Sequence, residues 1–344
     1  MAANATVTLY RVRSCGLFKY PRSRKAEFGD MSAILNDLEK WAKGQYLEDT
    51  KVFDPDQNSD MFPVYLADIA QVDGDWLIAL WNQMPESEGG VAAISARSPV
   101  GQPSVKVAPS VKGTLPGIAT YFWFLPDAGL LATVKIQRPF TGQSALQAYI
   151  ENYIRYFSSY VVHDLFTKDD DDVSPLGYRQ RPEDEPMELH AKFRTKLCRL
   201  PSEVDELVAN AANITKICRR DYIDLSTSVE KKRWESVAEF IGIASPSVPT
   251  RKRARLEYVT DISMDAQQVE AMVEDWNKSG GPEGATDIGF HRVGQTGFTW
   301  LSGSVARDEI DVDLRNKVPE FFDAAVLLRS LRRHRTRLVT MVSK

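Results

Sequence analysis

The chain has 344 residues, of which 43% are hydrophobic and 26% are charged, and its formal net charge is −4. These values are typical of a globular protein of about two domains. No apolar run reaches the roughly 20 residues of a membrane-spanning helix. The three widely spaced cysteines argue against a disulfide framework and exclude a CxxC zinc site. We therefore expect a cytoplasmic protein without membrane insertion. The negative net charge argues against a polyanion binder that uses its whole surface, but a local basic patch can still bind an anionic partner.

The first part of the chain predicts a strand, a helix and then a series of strands. Two apolar runs flank Asp73-Gly74-Asp75, and such a pattern indicates a β-hairpin. Asp30 and Ser32 can each cap the helix. The predicted strands are 6–12, 63–72, 76–81 and 89–96, and the predicted helix ends near Lys43.

The stretch Pro116–Tyr156 is the most strongly patterned part of the chain. Both alternation sets of Ile118–Leu125 are mostly apolar, which predicts a strand buried on both faces. A Pro-Asp-Ala-Gly turn leads to a second strand at Leu130–Gln137, and an amphipathic helix follows. Tyr121 and Trp123 are therefore predicted to build the core rather than to bind a ligand.

The segment 167–186 is the predicted domain boundary, because it combines four consecutive aspartates with three prolines. We interpret the aspartates 169–172 as a solvated loop; a divalent-cation site is the alternative, although the EF-hand pattern is absent. The predicted domains are 1–166 and 187–344. In the second domain we expect helices near 203–212, 230–241, 264–277 and 317–342, and strands near 214–223, 256–259, 287–293, 298–302 and 310–314. The predicted fold class is α+β, with mainly antiparallel sheets, packed helices and a long C-terminal helix.

The predicted C-terminal helix carries the densest positive charge. Five arginines occur within nine residues without an intervening acidic residue: Arg329, Arg332, Arg333, Arg335 and Arg337. Guanidinium groups match phosphate oxygens, and each phosphate contact releases counterions from nucleic acid. The first alternative is a solvated helix end, where cations interact favourably with the helix dipole. The second is binding to a membrane surface, although the basic end lacks a broad apolar face of Phe and Trp.

Two further basic segments could contact phosphates. The first precedes a predicted strand, and its alternative interpretation is a charged linker. Its cations are Arg251, Lys252, Arg253 and Arg255. The second is the loop after the first strand, where an aromatic residue stands among bases, and its alternative is a solvated hairpin. Its cations are Lys19, Arg22, Arg24 and Lys25.

The sequence contains none of the common catalytic motifs. GxSxG, Walker A, GxGxxG and HExxH are all absent, and the four histidines lack metal-type spacing. A metal-dependent nuclease needs carboxylates on a cation with a lysine nearby. The nearest match is Glu188 with Lys192 and either Asp164 or Asp172. We therefore predict no catalytic residue, no metal and no cofactor, and keep a nuclease as the third hypothesis.

The order of elements around the aromatic strand resembles that of the RexA-like phage-exclusion proteins. A Gly/Pro entry at Gly113–Gly117 precedes the aromatic run Tyr121–Phe124 and a strand with Ala132-Thr133, and Pro139-Phe140-Thr141 then precedes a helix. The strand with Leu9-Tyr10-Arg11 and the charged C-terminal helix also fit. The resemblance implies a cytoplasmic, dimeric protein that binds DNA with little sequence preference and acts with a partner in phage exclusion. It carries over no site residue by position.

The leading hypothesis from the sequence is a non-enzymatic, homodimeric protein that binds duplex DNA nonspecifically. Its phosphate contacts would come from the arginines of the C-terminal helix and from residues 251–255, with the loop 19–25 as a secondary site. The second hypothesis is a protein-interaction module that regulates a partner enzyme.

Overall fold

A computed structural model describes residues 2–55, 62–84, 92–106, 113–136, 142–163, 175–224, 253–279, 286–295, 297–313 and 321–342. The fold class is α+β, as predicted: six α-helices accompany antiparallel sheets in these residues. The chain forms two compact units, one of Met1–Lys196 with Arg307–Ser343 and one of Leu197–Ala306. No helix in the described ranges is long and apolar enough to cross a membrane.

The elements are numbered in chain order. They are β1 (Ala2–Phe18), α1 (Met31–Ala42), β2 (Val64–Val72), β3 (Asp75–Gln83), β4 (Ala93–Ser95), β5 (Val105–Lys106), β6 (Thr114–Leu125), β7 (Leu130–Ile136), α2 (Gln143–Asn152), β8 (Val161–Val162), β9 (Gly177–Tyr178), β10 (His190–Leu197), α3 (Pro201–Ala209), β11 (Ile214–Asp224), β12 (Arg253–Asp261), α4 (Ala266–Lys278), β13 (Thr286–Arg292), β14 (Thr299–Trp300), β15 (Arg307–Asp313), α5 (Ala324–Arg332) and α6 (Arg335–Val342).

The first unit is built on a sheet in the order β10-β1-β7-β6-β3-β2, and β15 adds to it by pairing with β1. Ala5 on β1 stands opposite Ile136 on one side and Ile310 on the other. Because this pairing returns the end of the chain to its first strand, β15, α5 and α6 belong to the first unit. The units therefore differ from the domain limits 1–166 and 187–344 that the sequence suggested.

The centre of this sheet is buried on both faces, as the apolar patterning predicts. Trp76, Trp81 and Trp123 are at most 1% exposed, and Tyr121 is 4% exposed. The hairpin between β2 and β3 turns at Asp73 and Gly74, whose φ angles are 46° and 86°. Two successive residues with positive φ match the hairpin turn that an Asp-Gly pair favours.

The C-terminal helical segment is shorter than predicted and divided in two. Asp323 caps α5, because its carboxylate accepts a hydrogen bond from the Val326 N–H at 2.8 Å. The turn at Arg333-His334 then separates α5 from α6. Neither glycine nor proline marks this break in the sequence. Residues 317–320 of the predicted helix lie outside the described residues.

The second unit has a four-stranded sheet in the order β12-β11-β13-β14. Helices α3 and α4 pack on it around an apolar cluster that includes Leu207, Val269, Trp276 and Phe290. Both helices lie close to their predicted positions, and Asp265 forms a capping box at the start of α4. The helix predicted near 230–241 lies outside the described residues.

Asp68 on β2 is 6% exposed and accepts a hydrogen bond at 2.8 Å from the N–H of Ala324, at the start of α5. Burial raises the pKa of Asp68 to about 6, although the Ala324 N–H opposes the shift. A folded-state pKa above the unfolded value means that the folded state binds more protons between about pH 4 and pH 6. The contribution of Asp68 to stability therefore falls as pH rises through that window.

Replacing Asp68 by Asn should remove this pH dependence while keeping an oxygen that can accept from Ala324. We expect the free energy of unfolding at pH 7 to rise by up to about 3 kcal/mol, with the gain vanishing near pH 4. Urea unfolding at pH 4, 5, 6 and 7 measures it, with the exposed Glu39→Gln as a control. A variant that loses stability equally at every pH would contradict the assignment.

Candidate nucleic-acid interface

The five C-terminal arginines differ in their surroundings. Arg332 forms ion pairs with Asp73 and Asp75, and Arg335 forms ion pairs with Asp75 and Asp127. The guanidinium of Arg335 lies 3.0 Å from the carboxylate of Asp75, which is 1% exposed. These contacts tie the helical segment to the β2–β3 turn and to the turn after β6.

The three other arginines lie closer to solvent. Arg337 pairs with Asp308 at 2.7 Å, and its side chain is 57% exposed. Arg329 and Arg333 are exposed and have no carboxylate partner among the described residues. Three of the five predicted phosphate ligands are therefore engaged by carboxylates of the same chain. A phosphate at Arg332 or Arg335 would have to displace a carboxylate partner.

The basic segment 251–255 belongs to the second unit. Arg253 and Arg255 lie on β12, opposite Asp224 and Tyr222 of β11. Nothing is described of their side chains, and Arg251 and Lys252 lie outside the described residues. The use of these four cations in binding stays a prediction.

The loop after β1 is the third basic segment, and we call residues 19–25 the basic loop. Its base is closed by β-type hydrogen bonds, because Leu17 N–H donates to Phe28 O at 3.0 Å and Glu27 N–H donates to Leu17 O at 2.8 Å. Its tip is a turn in which Ser23 N–H donates to Tyr20 O at 3.0 Å, with Pro21 at the second position. Backbone hydrogen bonds therefore hold the loop at its base and at its tip.

Glycine is required at the base of the basic loop. Gly16 has a φ of 115°, and a Cβ there would lie 2.2 Å from the carbonyl oxygen of Gly29. Only glycine permits both the positive φ and this close approach of the two backbone segments. This close approach of Gly16 to Gly29 fixes where the basic loop leaves the sheet.

Lys192 on β10 binds the backbone of the basic loop. Its ammonium donates to the carbonyl of Tyr20 at 3.0 Å and to that of Ser23 at 3.4 Å, and it lies 4.3 Å from the ring centroid of Phe18. Because the lysine binds backbone carbonyls, the loop side chains remain free to face solvent. The exposed cations of the basic loop are Lys19, Arg22, Arg24 and Lys25.

None of these four cations has a carboxylate partner among the described residues, and the basic loop itself contains no acidic residue. Tyr20 stands among them with 61% of its surface exposed. The structure therefore places four cations on one supported loop, and no carboxylate of the described ranges neutralises them.

Strand β10 adds positive charge next to the basic loop. Side chains alternate along a strand, so His190, Lys192, Arg194 and Lys196 share one side. Arg194 pairs with Glu151 of α2.

The backbone edge of β10 is also bound by α2. The Phe193 N–H donates to the side chain of Glu151 at 3.3 Å, and the Thr195 N–H donates to that of Gln147 at 3.4 Å. Helix α2 thus covers the outer backbone of β10, where a further strand could otherwise pair.

The nuclease hypothesis gains no support from the described residues. They contain no group of three metal-ligating side chains. Glu188 is exposed, Lys192 binds loop carbonyls instead of a substrate site, and Asp164 and Asp172 lie outside the described ranges.

An acidic cavity of about 430 Å³ lies beside the helical arginines. Its lining includes Asp30, Asp73, Asp75 and Asp127. Asp30 caps α1 through the Ala33 N–H, and the other three carboxylates bind Arg332 or Arg335. Each aspartate of the cavity therefore has a partner within the chain.

The sequence patterns did not predict which cations have partners within the chain. Arg332 and Asp73 are 259 positions apart, and Lys192 and Tyr20 are 172 apart. The Asp-Gly hairpin signal located Asp73 at a turn but gave no indication of what the turn would contact. Comparisons of the chain with protein-family models, with curated proteins and with solved structures gave no match.

Proposed function

We propose that this protein binds the phosphate backbone of nucleic acid, duplex DNA included, without sequence preference and through the basic loop. The observation that carries the proposal is a set of four exposed cations on a loop held by Lys192, none of which pairs with a carboxylate in the described part of the chain. Lysine and arginine on such a surface gain affinity by releasing the counterions condensed on nucleic acid.

The surroundings of the other basic segments favour the basic loop as the main contact. An arginine that already binds a carboxylate gains little by exchanging it for a phosphate, since the first partner is then left unpaired. Arg332, Arg335 and Arg337 are in that position, whereas Lys19, Arg22, Arg24 and Lys25 are not. Arg329 and Arg333 are the exposed helical cations, and they lie outside the contact that we propose.

The absence of sequence preference follows from the type of contact. Sequence is read by side chains that reach base edges in a groove, usually from a helix or a two-stranded ribbon. The basic loop instead offers charged side chains on a short turn, and its cations suit phosphate oxygens. Because the net charge of the whole chain is −4, attraction to phosphate has to come from local basic surfaces such as the basic loop.

Fluorescence anisotropy with a labelled random-sequence duplex at low salt tests the proposal. We expect saturable binding of the labelled duplex. Unlabelled duplexes of unrelated sequences should all displace it equally well. The proposal would be overturned by the absence of binding at 20–50 mM salt, or by competition from one sequence alone.

The resemblance to RexA-like proteins adds a biological setting to this proposal. It supports a homodimer that acts in the cytoplasm with a partner protein in phage exclusion. Phage plating on cells that express the protein tests the setting: we expect fewer plaques with the wild-type chain than with a variant whose basic loop is neutralised. Equal plating would remove the phage-exclusion role and leave the binding proposal in place.

A further inference from the structure

Tyr20 is an exposed aromatic residue at the tip of the basic loop. The residue is 61% exposed, and it makes no ring contact with another aromatic residue among those the structure describes. Its only described ring interaction is with the ammonium of Lys19, which lies 5.9 Å from the ring centroid. A tyrosine exposed to this extent offers a flat apolar surface that no other aromatic ring of the described residues covers.

The backbone that carries this ring is fixed. The carbonyl of Tyr20 accepts from both the Ser23 N–H and the Lys192 ammonium, at 3.0 Å each. Pro21 follows directly and restricts the turn further. Ordering the loop on binding therefore costs less conformational entropy than it would for an unsupported loop.

The basic loop thus places an exposed aromatic face among phosphate-binding cations. Proteins that bind single-stranded nucleic acid combine these two features, because unpaired bases stack on aromatic rings while cations track the backbone. In a duplex each base face is covered by the neighbouring base pairs, so a tyrosine ring can gain nothing there without unstacking.

Resting on the proposed function, we propose that Tyr20 stacks on an unpaired base, so that single-stranded nucleic acid is the preferred ligand class of the basic loop. Tyr20 then supplies the contact that distinguishes single strands from duplexes. The cations of the loop supply the contacts that the two forms share.

Three probes of similar charge separate stacking from phosphate binding. They are an oligothymidylate of about 20 nucleotides, an abasic phosphodiester oligomer of the same length, and a random-sequence duplex of about 10 base pairs, which carries a similar number of phosphates. Tyr20→Ala should lower the affinity for the oligothymidylate about 10-fold. Its affinities for the abasic oligomer and the duplex should stay within about twofold of wild type, since neither offers a free base face. Tyr20→Trp keeps a flat aromatic ring. It should bind the oligothymidylate at least as tightly as the wild type does, with unchanged affinity for the other two probes.

Equal losses on all three probes in Tyr20→Ala would show that the ring only supports the loop, and would overturn the inference. Unchanged binding of the oligothymidylate in that variant would overturn it as well. In both cases wild-type binding of the duplex would leave the proposed function standing. If the wild-type protein bound none of the three probes, the proposed function would fail, and this inference with it.

Discussion

Replacing Asp75 by Ala is expected to lower the free energy of unfolding of the first unit by about 3 kcal/mol. Asp75 is 1% exposed and is the carboxylate shared by Arg332 and Arg335, whose side chains are only 22% and 25% exposed. Burial raises the pKa of Asp75, and the bonds with Arg335 and Arg332 oppose that shift. Its removal leaves two half-buried cations without their common partner, which costs more than the loss of a surface pair.

The Arg332 side of this cluster is the weaker one. The Nε atom of Arg332 lies 3.3 Å from Asp75, close enough for an ion pair but without the alignment of a hydrogen bond. Arg335 is the better placed of the two, since its Nε donates to both carboxylate oxygens of Asp75 at 3.0 and 3.2 Å. We therefore expect most of the loss to come from Arg335.

Asp127→Ala is the matched control, because Asp127 binds the same Arg335 but its side chain is 70% exposed. An exposed pair contributes at most about 1 kcal/mol, so the control should lose much less stability than Asp75→Ala. Urea unfolding of the full chain, followed for the transition of the first unit, measures both. Equal losses in the two variants would contradict the structural role that we assign to the buried cluster.

Neutralising the basic loop is expected to lower the affinity for nucleic acid on the order of 100-fold at 50 mM salt, because up to four phosphate contacts disappear. The variant carries Lys19→Gln, Arg22→Gln, Arg24→Gln and Lys25→Gln. Its four side chains are exposed and make no ion pair with a described residue, so the fold should be retained. Anisotropy with a labelled duplex measures affinity, and the unfolding transition verifies stability.

The chain offers a control of equal charge for this prediction. Arg329→Gln with Arg333→Gln removes two exposed helical cations, and Arg22→Gln with Arg24→Gln removes two from the basic loop. We expect roughly a 10-fold loss of affinity for the loop pair and a change within about twofold for the helical pair. The reverse order would return the binding site to the C-terminal helix.

Local patterns predicted much of the fold. The Asp-Gly turn between β2 and β3 requires two residues with positive φ, and Asp73-Gly74 supplies them. The doubly apolar alternation of 118–125 predicted a buried strand, and Trp123 is fully buried. The sequence offers Asp30 and Ser32 as caps of α1, and it is the Asp30 carboxylate that accepts from the Ala33 N–H, at 2.9 Å. Each of these signals lies within a few residues of the structure that it determines.

Long-range pairing was beyond the sequence patterns. The residues 310–314 were predicted as a strand, but nothing in them shows that β15 pairs with β1 at the opposite end of the chain. The charge of an arginine is visible in the sequence, whereas its partner is not. Arg335 and Asp75 are 260 positions apart, and their contact depends on how α6 packs against the hairpin. The sequence therefore shows five arginines in the helical segment, but not that carboxylates of the same chain bind three of them.

The dependence of duplex affinity on salt, compared between wild type and the four-residue loop variant, tests the central claim most directly. Each phosphate contact contributes about 0.9 to the slope of log K against log salt concentration. If the basic loop supplies the main contacts, the slope of the loop variant should be shallower by about 3 to 4, and that of the Arg329/Arg333 variant should match wild type. Equal slopes for wild type and the loop variant would contradict the account.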